Sequence, residues 1–319
     1  MPESRPLQYP PSSKMAWPLD NELHARLFHH FISTMARWFD VCDPGKHFAR
    51  HIPVRAMKSP ILLGAMLSLS AWHLSMVSDV DARVSDQLYG ESLNAFISTI
   101  ADSPSEADES LFVATIILHN VEEVKDPSTT KVSHGHLVAM NHFLDRQPSF
   151  DRELHQAALN VSLRQEVTFC MLSQKPPGWP TSKFGIDRSL SEADDTVWAL
   201  RIVAIAADVL AFCLGDENRS LVQWADLDSQ TDQWLAVKPT TFAPFYCREA
   251  SPESGEYLPT VWHFQDCHAL ASIHYYICKI LLAIYDPKHP KLGFRKLQAD
   301  KRVNVYRTCP EVLLKANIA

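Results

Sequence analysis

The chain has 319 residues, 46% of them hydrophobic and 21% charged, enough apolar material for one large core or two coupled ones. Its net charge of -7 repels phosphate backbones, so contact with nucleic acid would need a local basic patch. Nine glycines leave little for phosphate-cradling loops, and the 21 prolines fall between apolar segments, which favours helices with proline-marked ends over a sheet dense in tight turns.

The opening MPESRPLQYPPSSKMAWP has no apolar core of a secretory signal, and residues 1–20 are expected to be a disordered, proline-rich lead-in. From Asn21 to Asp40, Leu23, Leu27, Phe28, Phe31, Ile32, Met35 and Trp38 recur at three- and four-residue spacing and predict an amphipathic helix. VCDPGKHFARHIP follows as a loop. Ser59-Pro60 then supplies an N-cap and a first-turn proline for the apolar run ILLGAMLSLSAWHLSM. Gly64, Ser68, Ser70, His73 and Ser75 interrupt Pro60–Met76, which reads as a central core helix too short to span a membrane.

A third helix is predicted over Asp79–Ala101, and Asp108 stands as a cap before LFVATIILHNVEEV. That run has strand-like β-branched residues, but its helical neighbourhood decides for helix. His136–Leu144 and Leu154–Leu172 read as helices, and QKPPGWPTSKFGIDRSLSEADD as a long surface loop. Trp198–Leu214 is a strongly apolar helix closed by Gly215, and Leu221–Leu235 a shorter one. An irregular loop over Val237–Pro259 leads to a long helix, Val261–Tyr285, ended by Asp286-Pro287, with a weaker helix over Lys296–Lys315. The pattern predicts an all-α fold, a single multi-helix domain over 21–287 with long irregular connecting loops and a basic tail over 288–319. Leu63, Leu67, Trp72, Ile202, Ile205, Leu210, Ile277 and Leu281 are the expected core.

GxGxxG, Walker A, GxSxG, HExxH and EF-hand patterns are absent from the sequence. Cys42, Cys170, Cys213, Cys247, Cys267, Cys278 and Cys309 are scattered without CxxC spacing, so they read as reduced, mostly buried thiols. His29 and His30 point about 100° apart on a helix, and His134 and His136 lack a third ligand at metal spacing. His263, His268 and His274 spread round one helix and read as hydrogen-bonded core histidines. Glu122-Glu123 and Asp194-Asp195 are carboxylate pairs whose plain reading is a helix terminus or a solvated face rather than acid-base chemistry. Trp38, Trp72, Trp198 and Trp262 lie on apolar helical faces, as core or as the wall of an apolar ligand pocket. Between Lys288 and Lys315, Lys288, Lys291, Arg295, Lys296, Lys301, Arg302, Arg307 and Lys315 stand against only Asp300 and Glu311. That surplus of six leaves -13 for the rest of the chain. The residues assign no catalytic, cofactor-binding or metal site, and an enzyme is not expected.

Several segments together resemble the fungal-specific transcription factor domain, the regulatory region downstream of Zn2Cys6 zinc clusters. They are LFHHFISTMARWFDVCDPGKHF, HIPVRAMKSPILLGAMLSLSAWHLS, DESLFVATIILHNVEEV, HGHLVAMNHFL (Val138 where glycine is usual), ALNVSLRQEVTFCML, DDTVWALRIVAIAADVLAF, WLAVKPTTFAPFY and YLPTVWHFQDCHALASIHYYICKILLAIYDP. They stand in the family's order from about Leu27 to Pro287, and no six-cysteine cluster precedes them in this sequence. The resemblance implies a nuclear regulator, with cytoplasm as the alternative location, often of fungal secondary or nutrient metabolism. It implies an effector region that senses a metabolite or holds protein partners, without its own sequence-specific DNA reader and without a membrane. Two other readings stand beside it: an enzyme on a recruited helical scaffold with an apolar pocket, and a dominant-negative partner of a full-length zinc-cluster relative.

Overall fold

The computed structural model describes residues 17, 19–102, 109–125, 143–144, 151–215, 219–251, 253, 255–256 and 259–288. Most of the expected lead-in, the Asp108 cap, His134, His136, Cys309, the Lys296–Lys315 helix and all of the basic tail beyond Lys288 lie outside these residues. Most of the expected His136–Leu144 helix does too; Phe143 and Leu144 are helical and buried. The fold is all-α apart from one two-stranded ribbon among the described residues. The chain groups into two compact units, Met1–Ala158 and Leu159–Ala319.

In the first unit, α1 (Glu22–His30) opens on Asn21, whose side chain accepts a hydrogen bond from the His24 N–H. It runs into a π-turn (Phe31–Met35) and α2 (Ala36–Phe39). The stretch expected as a loop holds two short helices, α3 (His47–Arg50) and α4 (Ile52–Ala56). The cause is side-chain capping that periodicity does not register. Asp40 accepts from the Phe48 and Ala49 N–H groups, and Asp43 from those of Gly45 and His47 and from the His47 ring. Burial and the neighbouring Asp43 raise the Asp40 carboxyl to about 6, against the pull of its two N–H donors. Glycine is required at 45, where an added Cβ would lie 2.5 Å from the His47 ring. Asp43→Ala is expected to destabilise the protein by about 1–2 kcal/mol, the loss of a well-made cap, measured by urea unfolding of the purified chain. No change would show that α3 holds without its cap.

α5 (Pro60–Val77) starts as the sequence predicts, with Ser59 accepting from the Leu62 N–H and Pro60 in the first turn. It is buried over most of its circumference and packs against α1, α6 (Ala82–Asp102) and α7 (Glu109–Lys125). Small residues allow the close approach to α6. The Ser68 and Ser85 hydroxyls each donate to the other residue's carbonyl, at 3.0 and 2.9 Å, and Ser92 donates to the Ile61 carbonyl at 2.7 Å.

α8 (Arg152–Ser173) runs through the boundary between the units. The second unit is built on α9 (Asp195–Leu214), which packs against α10 (Leu221–Val237) and α11 (Asp266–Ile284). Gly215 ends α9 with extended backbone rather than a left-handed turn. Its role is steric: an added Cβ would meet the Ala211 carbonyl oxygen at 2.6 Å. The helix expected from Val261 begins five residues later, because Thr260–Trp262 pairs as a strand with Tyr246–Arg248 from the stretch expected as an irregular loop. Three-residue strands are too short to show alternation in sequence.

Of the expected core, Leu63, Leu67, Ile202, Ile205 and Leu210 are buried, whereas Trp72, Ile277 and Leu281 are only partly covered. α5, α9 and α11 are long and apolar enough to cross a membrane by length and composition, which corrects the expectation that Pro60–Met76 is too short. Within the protein, 67%, 72% and 50% of their apolar windows are buried, respectively.

Candidate functional site

The most exposed aromatic surface among the described residues is the ribbon of the second unit, formed by β1 (Tyr246–Arg248) and β2 (Thr260–Trp262). The strands pair antiparallel, with Tyr246 opposite Trp262 and Cys247 opposite Val261. Side chains alternate across a strand, so Val261 turns inward and is buried while Tyr246 and Trp262 face solvent. Phe245 and Phe264 flank this pair, and the Phe245 N–H donates to the Trp262 carbonyl at 3.0 Å. Exposures are 54% for Phe245, 37% for Tyr246, 49% for Trp262 and 71% for Phe264. The ring centroids of Tyr246–Trp262 and Phe245–Phe264 are each 4.9 Å apart, and those of Phe245–Trp262 are 6.1 Å apart. Singly exposed aromatics are ordinary; four in contact form a contiguous apolar patch of the kind that marks an interface.

Beneath the ribbon the anchoring is rigid. Phe242, in a 3-10 turn (Thr240–Phe242), is buried against Trp234 and the His268 ring, with centroids 5.9 and 4.5 Å away. Asp195 in the first turn of α9 accepts from the Thr241 hydroxyl at 2.9 Å and from His268 Nε2 at 2.8 Å. This triangle ties α9, the turn and the first turn of α11 together, so the ribbon rises from a fixed base. Between the strands Glu249 and Glu253 are exposed acids, and Arg248 donates to Glu256 at 2.8 Å.

The structure separates most of the sequence's other candidates. His29 is exposed, but His30 Nε2 lies 3.0 Å from His73 Nδ1, one nitrogen donating and the other accepting, with Trp38 and Trp72 around His73. Burial, and then His73, holds the His30 pKa below the ordinary histidine value. His263, His268 and His274 do not converge on a ligand: His268 is bound to Asp195, and His274 Nδ1 donates to the Leu270 carbonyl at 2.7 Å. Burial drives His274 down to about 4. Glu122 accepts from the Tyr89 hydroxyl and Glu123 lies 3.6 Å from His119, so that carboxylate pair divides between two partners. Asp194 is exposed and its carbonyl accepts from the Trp198 N–H, leaving Asp195 as the member of the second pair that meets a histidine. Trp198 is buried with the Arg201 guanidinium 4.4 Å above its ring; Trp38 and Trp72 belong to the first unit, Trp198 and Trp262 to the second.

Cys42, Cys170, Cys213, Cys267 and Cys278 are buried thiols, and Cys247 is an exposed one. Burial pushes the Cys213 thiol up to about 12 and those of Cys170 and Cys278 well above the usual range. No three histidine, cysteine or acidic side chains assemble as a metal site among the described residues.

Sequence reasoning missed Phe245, Tyr246 and Phe264. The available signal was the aromatic content of FAPFY and VWHF on either side of breaker-rich residues, the composition of a short hairpin.

A model of the fungal specific transcription factor domain matches residues 26–221, more than half of the chain. No curated protein and no solved structure matches it. The matched stretch runs from α1 to the first residue of α10, and the aromatic ribbon lies beyond it.

Proposed function

Because this chain belongs to the fungal specific transcription factor domain family, we propose that its regulatory role is exercised through protein partners held at the aromatic ribbon. The observation that carries the reading is the cluster of Phe245, Tyr246, Trp262 and Phe264, exposed on a ribbon whose base is fixed by Asp195, Thr241 and His268. Tyrosine and tryptophan anchors on a rigid support are the side chains that dominate protein–protein affinity, since they bury large areas at low cost in conformational entropy. These rings lie outside rather than around an interior space, which favours partner contact over metabolite sensing. DNA sequence is read by a separate element, because a chain of net charge -7 offers phosphate no general attraction. The site of action is then the nucleus.

An observation that the catalytic alternative can draw on is the meeting of Asp195 with His268. That histidine is 1% exposed and its Nε2 is occupied by Asp195, so the pair serves as a strut.

The test fuses the full chain to a heterologous DNA-binding domain and measures a reporter in a fungal host. The wild-type fusion should change reporter output, and Trp262→Ala/Phe264→Ala should lower the effect roughly tenfold, the loss expected for two aromatic anchors. The double variant should cost under about 1 kcal/mol of stability, because both rings are largely in solvent. A well-folded double variant with undiminished effect would sink the reading.

A further inference from the structure

We propose that the aromatic face of the ribbon docks a basic segment, and that its occupant is the Lys288–Lys315 stretch of the same chain. The inference rests on the reading of the ribbon as the interaction face.

Three observations carry it. First, the faces of Trp262, Tyr246 and the two phenylalanines present the negative side of their ring quadrupoles, which attracts ammonium and guanidinium groups. Second, the ribbon is acidic: residues 245–264 hold Arg248 against Glu249, Glu253 and Glu256, and Arg248 is tied to Glu256. A second copy of the ribbon would bring the same sign of charge to this face, so charge favours a cationic occupant over a homodimer. Third, the eight basic residues between Lys288 and Lys315 follow directly from α11, whose first turn adjoins the ribbon.

Reach is sufficient. α11 carries the chain about 28 Å from its first turn, at roughly 1.5 Å per residue. The stretch that follows spans up to about 90 Å when extended at roughly 3.3 Å per residue. Tethering gives it an effective concentration near the millimolar range, at which individually weak cation–aromatic contacts become populated. A partner reaching the same rings would have to displace it, so occupancy of the ribbon is coupled to the charge state of that stretch.

The experiment is zero-length carbodiimide cross-linking of the full chain, at low concentration and with equal amounts of light and 15N-labelled protein, read by peptide mass spectrometry. Expected are intrachain amides joining Lys291, Lys296 or Lys301 to Glu249, Glu253 or Glu256. Their yield should fall about fivefold in Trp262→Ala/Phe264→Ala and also in Arg295→Gln/Arg302→Gln/Arg307→Gln, which keeps the reactive lysines. Cross-links of mixed isotope, which would place a second copy on the ribbon, overturn the proposal. So do cross-links that run instead to Asp226, Asp228 or Asp232 and persist in the ribbon variant. The reporter assay decides the underlying reading separately, because ribbon variants lose reporter effect whether or not the basic stretch is the occupant.

Discussion

Trp234→Ala is expected to cost about 3–5 kcal/mol, the range for emptying a large aromatic from a packed core. Trp234 is the largest fully buried side chain among the described residues and sits on α10. Its ring meets Phe242 edge-on at 5.9 Å and stacks with Tyr275 at 6.1 Å, and its Nε1–H donates to the Trp198 carbonyl at 2.9 Å. Alanine would remove the ring, the hydrogen bond and the wall against which Phe242 packs, so the base of the ribbon loosens with the core. Trp234→Phe keeps part of the ring volume and drops only the N–H, and should lose clearly less. Urea unfolding followed by near-ultraviolet circular dichroism reports both. A loss below about 1 kcal/mol for the alanine variant would mean that the second unit does not rest on this residue.

The second large effect comes from charge and should be strongly non-additive. Lys279 on α11 is buried, and its ammonium donates to Asp228 at 2.5 Å and Asp232 at 2.9 Å, both on α10. Burial pushes the Lys279 pKa down, but the two carboxylates outweigh it and the value stands above that of an ordinary lysine. Asp228→Ala or Asp232→Ala alone leaves one carboxylate in place and should cost under about 1 kcal/mol. The double variant takes both of these carboxylates from a buried ammonium and should cost about 3–5 kcal/mol, well beyond the sum of the singles.

The pH dependence of this site changes sign with the double change. In the wild type the raised pKa gives a stabilisation that is complete below the unfolded lysine value and is lost as pH rises through the folded value. Without the aspartates the two contributions that raise the Lys279 pKa are lost while burial still lowers it, so the folded pKa is expected to fall below the unfolded one and the deficit to shrink as pH rises between them. Additive variants, or a deficit independent of pH, would show that water reaches the ammonium.

Helices were legible wherever apolar residues repeat over several turns and a cap marks the start, as with Ser59-Pro60 before α5. They were illegible where side chains supply the structure, as Asp40 and Asp43 do for α3. The half-covered Ile277 and Leu281 show a second limit: an apolar stripe says that a face is buried somewhere, but the number of neighbours sets how much of it. The candidate site was the least legible part. Its rings come from both sides of a stretch that lacks periodicity, and the β1–β2 register that joins them is a tertiary fact. His30 met a partner 43 residues away, and Asp195 one 73 residues away, for the same reason.

The three apolar helices also set a problem of timing. α9 is complete at Leu214, but α11, which packs against it, ends only at Ile284. At about 5–20 residues per second, the ribosome needs roughly 4–14 s to make the intervening chain. For that interval a segment apolar enough to be taken for a membrane span is without one of the two helices that pack against it. Slowing translation between the two helices should therefore raise the fraction lost to aggregation or mis-insertion, even though the finished protein is unchanged.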